Sequence, residues 1–451
     1  MAQAHSPKST PELTMPALVR EVAARVRLAG GRAFVVGGAV RDALLGRCSL
    51  DHDLAVSLPP DRLLQLFPEA DALDARLGTL RLRDRSGELV LTTFREESEY
   101  RDHRHPSVVR FVTEPEVDAR RRDFTINAIY VDPETGAWID PCGGIADAGQ
   151  RLLRTIGTPA RRFAEDPLRI LRALRFLAVT GFSLEAATEQ GLRQELPLLR
   201  TLSADRVRDE LTRALCGPGR GRALRLLVDL GIAEVLLPEV AALAGVPQPP
   251  EYHPEGDVLT HCCLVLEHVP EAEPVLAWAA VLHDLGKPKT FERAADRIRF
   301  SGHDVLSATM ARAVLRRLHA SRDLEHAVVE VCAQHIRIAS LPEMGDAKRE
   351  RFLRDPLFAL HLAFHRADCL GSHGKLDIFE LAQRWHAELP ALPPPPLCTG
   401  KDVLAFGVPA GRAVGEILRQ LQARIDASHG VDRAQALHWL VEIATPYVKP
   451  G

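Results

Sequence analysis

From Ala17 to Leu28 the apolar residues recur every three or four positions, which predicts a helix with one buried face. Ala33-Phe34-Val35-Val36 is a short apolar run that ends on Gly37-Gly38, a strand leading into a short helix over Val40 to Leu45. Leu50 to Val56 predicts a second strand. Leu80-Arg81-Leu82 and Glu88 to Phe94 predict two more, joined through Ser86-Gly87, and Val108 to Val112 an edge strand. Beyond Leu153 the period changes. From Pro159 to about Val240, Leu and Arg fall at helical spacing, punctuated by Gly217-Pro218-Gly219. Residues 244–256 have the proline and glycine content of a linker, and a second helical block runs from about Asp257 to Gly371. Pro393 to Pro396 form a stiff spacer before a last helical segment, Lys401 to Tyr447. The fold class expected is α+β: a mixed head followed by helices alone, with no internal repeat.

The chain has 451 residues, which at roughly 150 per domain predicts about three domains. Lys and Arg total 57 against 60 Asp and Glu, so no global basic excess advertises nucleic acid, although a local stripe still can. A hydrophobic content of 46% excludes a disordered chain. No run approaches the ~20 apolar residues of a membrane span, and residues 1–15 lack an apolar signal core, so a cytoplasmic protein is expected. Eight cysteines include no Cys-X-X-Cys pair, which argues against a zinc ribbon or a thioredoxin-type site.

Asp51 and Asp53 stand two apart in Leu50-Asp51-His52-Asp53-Leu54-Ala55-Val56. On a strand such residues face one side, with Cα atoms about 6.6 Å apart. Two carboxylates so placed can share divalent metal, and Mg²⁺ is expected because it favours oxygen ligands and phosphate partners. In two-metal phosphoryl chemistry one ion activates the attacking oxygen and the other steadies the leaving group. An isolated Asp-X-Asp is more often a solvated strand face. The turn Gly37-Gly38-Ala39-Val40-Arg41-Asp42 shifts that balance. Its glycines allow close backbone approach, its amides suit a triphosphate, and Arg41 adds a cation.

At these residues the sequence resembles the polymerase-beta nucleotidyltransferase superfamily, and within it the class II bacterial tRNA CCA-adding enzymes and poly(A) polymerases. The resemblance continues through Leu45-Gly46-Arg47, Arg121-Arg122-Asp123-Phe124-Thr125-Ile126-Asn127-Ala128, Asp140-Pro141-Cys142-Gly143-Gly144 and Glu165-Asp166-Pro167-Leu168-Arg169, in the family's order across residues 33–180. It implies that Asp51 and Asp53 are the catalytic Mg²⁺ ligands and that Arg121, Arg122, Asp123 and Asn127 handle ribose and triphosphate. A third carboxylate found in some relatives aligns near Val90 and is missing here.

Asp166 and Arg169 are three apart on an expected helix, so their side chains should meet on one face. Such a pair can be an ordinary salt bridge. Within the resemblance it is a base selector. Cytosine and adenine each present an amine beside a ring-nitrogen acceptor; Asp accepts from the first and Arg donates to the second. Uracil and guanine reverse that polarity and would leave buried charges unpaired. Arg172 and Arg175 continue the row and can meet phosphates or solvent.

CC-adding members of the family lack a flexible loop before the Arg-Arg-Asp motif. Here Thr92-Thr93-Phe94-Arg95 and Glu99-Tyr100-Arg101-Asp102-His103-Arg104-His105-Pro106 are expected to form that loop, a charged mobile segment, which argues against a CC-only enzyme. Leu77-Gly78-Thr79 resembles the CCA-type sequence where poly(A) polymerases carry a basic cluster.

His261, His283, Asp284, His303, His335 and Asp368 fall in separate expected helices. A lone helical His is usually a packed or solvated residue. The contexts Glu255-Gly256-Asp257-Val258-Leu259-Thr260-His261, His283-Asp284-Leu285-Gly286-Lys287, Gly302-His303-Asp304 and His365-Arg366-Ala367-Asp368 resemble the HD phosphohydrolase superfamily. That resemblance implies a divalent metal held by His261, His283, Asp284 and Asp368, with His303 and His335 on a second metal or on substrate phosphate. Imidazole and carboxylate suit several metals, so its identity stays open. Similar enzymes hydrolyse 2′,3′-cyclic phosphates or phosphate monoesters.

The expected plan is a nucleotidyltransferase head over 16–155, a helical neck with the nucleotide-selecting motif over 156–245, an HD domain over 255–372 and a tRNA-binding tail over 373–451. The expected partners are tRNA, CTP and ATP, with no membrane. An A-adding enzyme would also imply a separate CC-adding enzyme on the same tRNA. The rivals are a poly(A) polymerase, a metal-dependent hydrolase whose head only binds RNA, and a purely structural RNA-binding protein.

Overall fold

The structure is a computed structural model that describes residues 11, 13–48, 52–84, 87–100, 106–251, 253–294, 298–389, 397–426, 428 and 431–448. Leu50, Asp51, Ser86, residues 101–105 and the expected spacer at Pro393–Pro396 lie outside them. The head has an α+β core. Its strands are β1 (Ala33–Val36), β2 (Asp53–Val56), β3 (Asp71–Asp74), β4 (Thr79–Asp84), β5 (Gly87–Thr93), β6 (Arg95–Tyr100), β7 (Pro106–Phe111), β8 (Tyr130–Val131) and β9 (Trp138–Ile139). Seven make one sheet in the order β3-β4-β5-β2-β1-β8-β9. β2 runs parallel to β5 and antiparallel to β1.

Alternation along these strands builds two faces. Val35, Leu54, Val56, Leu80, Leu82, Leu89 and Leu91 pack with Val19, Val22 and Val26 of the helix Ala17–Leu28. Phe34, Val36, Ala55 and Tyr130 pack on the other face with Phe94. Phe34, Phe94 and Tyr130 meet at ring-centroid distances of 6.1 to 6.3 Å. Asp53 pairs with Val36, two residues before Ala55, and so lies at the start of this second face.

Two expectations for the head need correction. β7 does not extend the sheet but pairs with β6 as a separate two-stranded hairpin. The segment expected to be a charged mobile loop is therefore a hairpin over its described part. Within that hairpin Glu96 stands opposite Arg110, with 2.7 Å between carboxylate and guanidinium.

The helices that follow share one core. A single cluster of buried side chains runs from Phe124 through Leu171, Leu224 and Trp278 to Phe364 and Ala367. Residues 244–256 do not separate two cores as a linker would: Pro247 bridges to Asp257, Val258 donates to the Val246 carbonyl at 3.0 Å, and Gln248 is buried. Residues Ala387–Gly451 form a second compact unit. Its helices Gly400–Ala405, Arg412–Asp426 and Arg433–Ala444 enclose Val403, Ile417, Leu421 and Leu440, and Thr399 with Asp402 forms a capping box at the first. Among the described residues no helix is long and apolar enough to cross a membrane.

Candidate nucleotide and metal centres

At the end of β1 the chain turns on Gly37, whose φ of +81° lies in the region that glycine adopts without a steric penalty. A Cβ there would stand 3.6 Å from Asp53 Oδ2, so the turn brings backbone against the carboxylate. Gly38 opens the helix Gly38–Leu44, which carries Arg41. β5 aligns Val90 with Asp53, so an apolar side chain stands where a third strand carboxylate would.

Arg41 begins a chain of polar contacts. Its guanidinium donates to Asp42 at 2.8 Å and to the Asn127 carbonyl oxygen at 3.4 Å. Asn127 donates to Asp123 Oδ1 at 3.1 Å, and Arg172 Nε donates to Asp123 Oδ2 at 2.8 Å. Phe176 lies under three guanidiniums, with centroid distances of 5.2 Å to Arg41, 5.3 Å to Arg172 and 4.5 Å to Arg175. Arg175 also pairs with Glu210.

A second network centres on Asp118, which sequence reasoning missed. This fully buried carboxylate accepts from Arg121 at 2.7 Å, from Arg122 at 3.0 Å and from the Tyr130 hydroxyl at 2.8 Å. The Asp118-Ala119-Arg120-Arg121-Arg122 spacing, which sets Arg121 and Arg122 as helical neighbours at three and four, was the available signal. Arg121 also reaches Glu97 of the hairpin at 3.5 Å, and Glu97 pairs with Arg95.

Burial alone would raise the Asp118 carboxyl, but Arg122, Arg121 and Tyr130 hold it well below the usual carboxylate range. Burial is likewise outweighed at Asp123 by Arg172 and Asn127, which hold it low. Both carboxylates therefore stabilise the native state above the unfolded pKa of about 3.9, and that stability is lost as pH falls through the depressed native values. Denaturant melts taken down from pH 6 should show stability falling once pH drops below about 4. Asp118→Asn should flatten that fall.

The base-selecting pair needs a correction. Asp166 is not on a helix: it precedes Pro167, which disfavours helical backbone, and adopts φ −145° and ψ 99° between the helices Pro159–Glu165 and Leu168–Thr180. Its carboxylate accepts from Arg206 of the helix Ala204–Cys216 at 3.1 Å. Arg169 lies inside the next helix, donating to the Arg162 carbonyl at 2.8 Å and to Glu165 at 3.3 Å. Arg162 donates to the Arg121 and Arg122 carbonyls at 2.7 and 2.8 Å, which ties this segment to the head. Arg206 was not found from the sequence, because 40 residues separate it from Asp166.

The second centre lies among the helices Val258–His268, Pro274–Leu282, His303–Arg317, Arg322–Gln334 and Phe358–Leu370. His261 Nε2 stands 3.0 Å from Asp368 and 3.3 Å from His283 Nε2. His283 Nε2 is 3.2 Å from Asp284 Oδ2, while Asp284 Oδ1 lies 3.5 Å from His303 Nε2 and 3.9 Å from His335 Nε2. The structure thus brings together all six histidines and aspartates singled out from the sequence. His283, His303 and His335 donate Nδ1–H to the carbonyls of Ala280, Phe300 and Cys332 at 3.1, 2.8 and 2.7 Å, leaving Nε2 to face inward. Neither Asp284 oxygen receives a well-aligned hydrogen bond, although Lys287 Nζ stands 2.7 Å from Oδ2. Buried, under-satisfied carboxylate oxygens among inward imidazoles form a donor set that could hold a divalent metal.

The segment expected to be a linker contributes to this centre. Glu255 Oε1 stands 2.9 Å from Nδ1 of both His261 and His253, and Gln248 accepts from Lys287 at 2.5 Å. Burial would lower the His261 imidazole, but Asp368 and Glu255 push it up to about 9. Burial, with His283 alongside, holds His335 down at about 4. Burial and Lys287 hold His253 at about 4 as well.

Residues 33–154 match the poly(A) polymerase head domain family, residues 181–243 the probable RNA- and SrmB-binding site of polymerase A, and residues 257–356 the HD domain family. The chain is 35% identical over 415 residues to the A-adding tRNA nucleotidyltransferase of Deinococcus radiodurans, covering 86% of this chain and 90% of that one. It is 44% identical over 203 residues to a CCA-adding enzyme of a Geobacillus species, a match that spans 50% of that relative's length. The crystal structure of the Bacillus stearothermophilus CCA-adding enzyme in complex with CTP superposes with a TM-score of 0.66 at 27% identity, covering 96% of this chain and 99% of that one.

Proposed function

Because the chain belongs to the tRNA nucleotidyltransferase family, we propose that it extends the 3′ end of tRNA with C and A residues taken from CTP and ATP, releasing pyrophosphate. The observation that carries this reading is the Asp53 carboxylate set against the Gly37 turn, beside the chain Arg41–Asn127–Asp123–Arg172. Nucleotidyltransferase and HD families typically use divalent metals. Asp53 is a hard oxygen donor and fits Mg²⁺, with Asp51, outside the described residues, as its proposed partner. When bound, such ions supply charge that lowers the pKa of the attacking 3′ hydroxyl and steadies the triphosphate.

The chain's own residues do the rest. Arg41, Arg121, Arg122 and Arg172 provide cationic character for the triphosphate, and Asp123 and Asn127 hold Arg41 and Arg172 in place for it. Asp166 accepts from the amine of cytosine or adenine and Arg169 donates to the ring nitrogen. Glu165 and the Arg162 carbonyl fix the Arg169 guanidinium in one orientation. The 3′ oxygen forms a bond to the α-phosphorus, the bond to the bridging oxygen breaks, and pyrophosphate departs.

Incubation with tRNA transcripts and each labelled nucleotide in turn tests the reading: C and A should be incorporated, and U and G should not. Asp166→Ala should lower the preference for C and A over U and G by about ten- to a hundredfold, the worth of one buried charged hydrogen bond. Unchanged preference in that variant would remove Asp166 from base selection. A sequence match of 35% identity that covers most of both chains is to an A-adding enzyme, and it favours a narrower second reading in which this chain adds only the final A to ends that another enzyme has carried to CC.

For the histidine–aspartate centre we propose metal-dependent phosphoester hydrolysis. His261, His283, Asp284 and Asp368 would hold the metal, with His303 and His335 for a second metal or the substrate phosphate; a bound metal would supply a water of lowered pKa. Water oxygen bonds to phosphorus, the ester oxygen leaves, and a proton passes to it. The ring of inward Nε2 atoms around the under-satisfied Asp284 carboxylate carries this reading.

A further inference from the structure

We infer that Phe176 is a positioning residue of the nucleotidyl site: its ring gathers Arg41, Arg172 and Arg175 without occupying their N–H groups, so that these cations stand ready for the triphosphate of the incoming nucleotide. The inference rests on reading that site as a nucleotidyltransferase.

The three arginines come from two places in the chain. Arg41 belongs to the helix Gly38–Leu44, and a Cβ on Gly38 would stand 3.9 Å from its Nη2, so its guanidinium lies over the glycine turn. Arg172 and Arg175 belong to the helix Leu168–Thr180, with Arg172 four residues before Phe176 on one helical face. All three meet the Phe176 ring, at 4.5 to 5.3 Å from its centroid. The ring is buried and stands edge-on to Phe124, the neighbour of Asp123, at 5.6 Å and 81°.

Each guanidinium meets its own carboxylate through Nε: Arg41 on Asp42 at 3.0 Å, Arg172 on Asp123 at 2.8 Å and Arg175 on Glu210 at 2.5 Å. Among the described residues, neither Arg172 nor Arg175 donates a hydrogen bond through Nη1, and Arg41 Nη1 makes only the 3.4 Å contact with Asn127. Three like charges drawn to one place repel each other unless something holds them. A further carboxylate would hold them, but it would compete for the same N–H groups and repel a triphosphate. An aromatic face attracts cations through its quadrupole, carries no net charge and takes no N–H. The outer edges of the guanidiniums are thereby left for phosphate oxygens, which suits a reaction that depends on positioning and electrostatics. Phe176 also fills the helical core, as a leucine could, so shape and quadrupole have to be separated by experiment.

The test replaces Phe176 of the full-length protein with mono-, di- and trifluorinated phenylalanine, which keep the ring's shape and withdraw charge from its face in steps. Binding of inorganic tripolyphosphate is measured by calorimetry without metal, and KM and kcat with Mg²⁺, ATP and a tRNA transcript ending in CC. Tripolyphosphate affinity should fall step by step, about tenfold in all, with the KM for ATP rising in parallel. The KM for tRNA, kcat and the melting temperature should stay close to native. Phe176→Leu should resemble the trifluorinated protein, and the same series at Phe358, buried in the other helical block, should show no trend. Affinity that stays flat across the series, with A still incorporated, would overturn the role of Phe176 and leave the nucleotidyltransferase reading in place. Stepwise loss of tripolyphosphate binding in a protein that incorporates no nucleotide would uphold the role and overturn that reading. Native protein that binds neither tripolyphosphate nor ATP would overturn both.

Discussion

Asp53→Ala should reduce nucleotide incorporation by about 10³-fold or more and leave the melting transition close to that of the native protein. The carboxylate opens β2 rather than filling its apolar interior; Leu54, Ala55 and Val56 behind it carry the packing. Its loss therefore removes little buried surface. It does remove the described oxygen donor nearest the Gly37 turn. A metal bound there is worth several kcal/mol of transition-state stabilisation, and each 1.36 kcal/mol is a factor of ten in rate. Asp53→Asn keeps the shape and loses the charge, so it should fall nearly as far. Single-turnover incorporation of labelled ATP into a tRNA transcript measures the loss. A variant within a few-fold of the native rate would sink the assignment of Asp53.

The second large effect is expected at Asp284. Its side chain lies between His283 on one oxygen and His303 and His335 on the other, with Lys287 beside it. Asp284→Asn preserves volume but offers an uncharged donor–acceptor group to imidazoles already aimed inward. Loss of an outer-shell partner typically costs ten- to a hundredfold in metal affinity or activity, so loss of a ligand should cost more than about a hundredfold. Metal retained after dialysis should fall to background, and phosphoester hydrolysis with it. Incorporation of A into tRNA should persist, since Asp284 touches none of the residues around Asp53. Hydrolysis surviving in metal-free Asp284→Asn would contradict the metal centre.

Where the chain alternates or repeats cleanly, its sequence was informative. Ala17–Leu28 buries Val19, Val22, Ala23 and Val26 at helical spacing, and β1 and β2 are apolar runs covered on both sides. β3 gave no such signal because its residues are largely exposed and its two apolar residues, Ala72 and Leu73, do not alternate with polar ones. In the β6–β7 segment charge density hides a strand pairing that becomes visible only when Glu96 faces Arg110. At Asp166 the helical count ran through Pro167, which redirects the carboxylate toward Arg206. Proline and glycine around Gln248, His253 and Glu255 read as a linker, yet those turns deliver three polar side chains to the histidine–aspartate centre. The aspartates and histidines of that centre were legible one by one. Their convergence depends on five helices separated by up to a hundred residues, and no local pattern encodes it.

The central claim is that this chain completes the CCA end of tRNA, adding the final A with or without the two C before it, and nothing else. The most direct test gives purified protein with Mg²⁺ three tRNA transcripts, ending before CCA, after C and after CC, with labelled CTP or ATP alone and then both. The account predicts one A on the transcript ending in CC, followed by arrest. Prior addition of two C to the first transcript would mark a complete CCA-adding enzyme, and its absence an A-adding one. No incorporation on any end, or A residues that continue without arrest, would contradict the account.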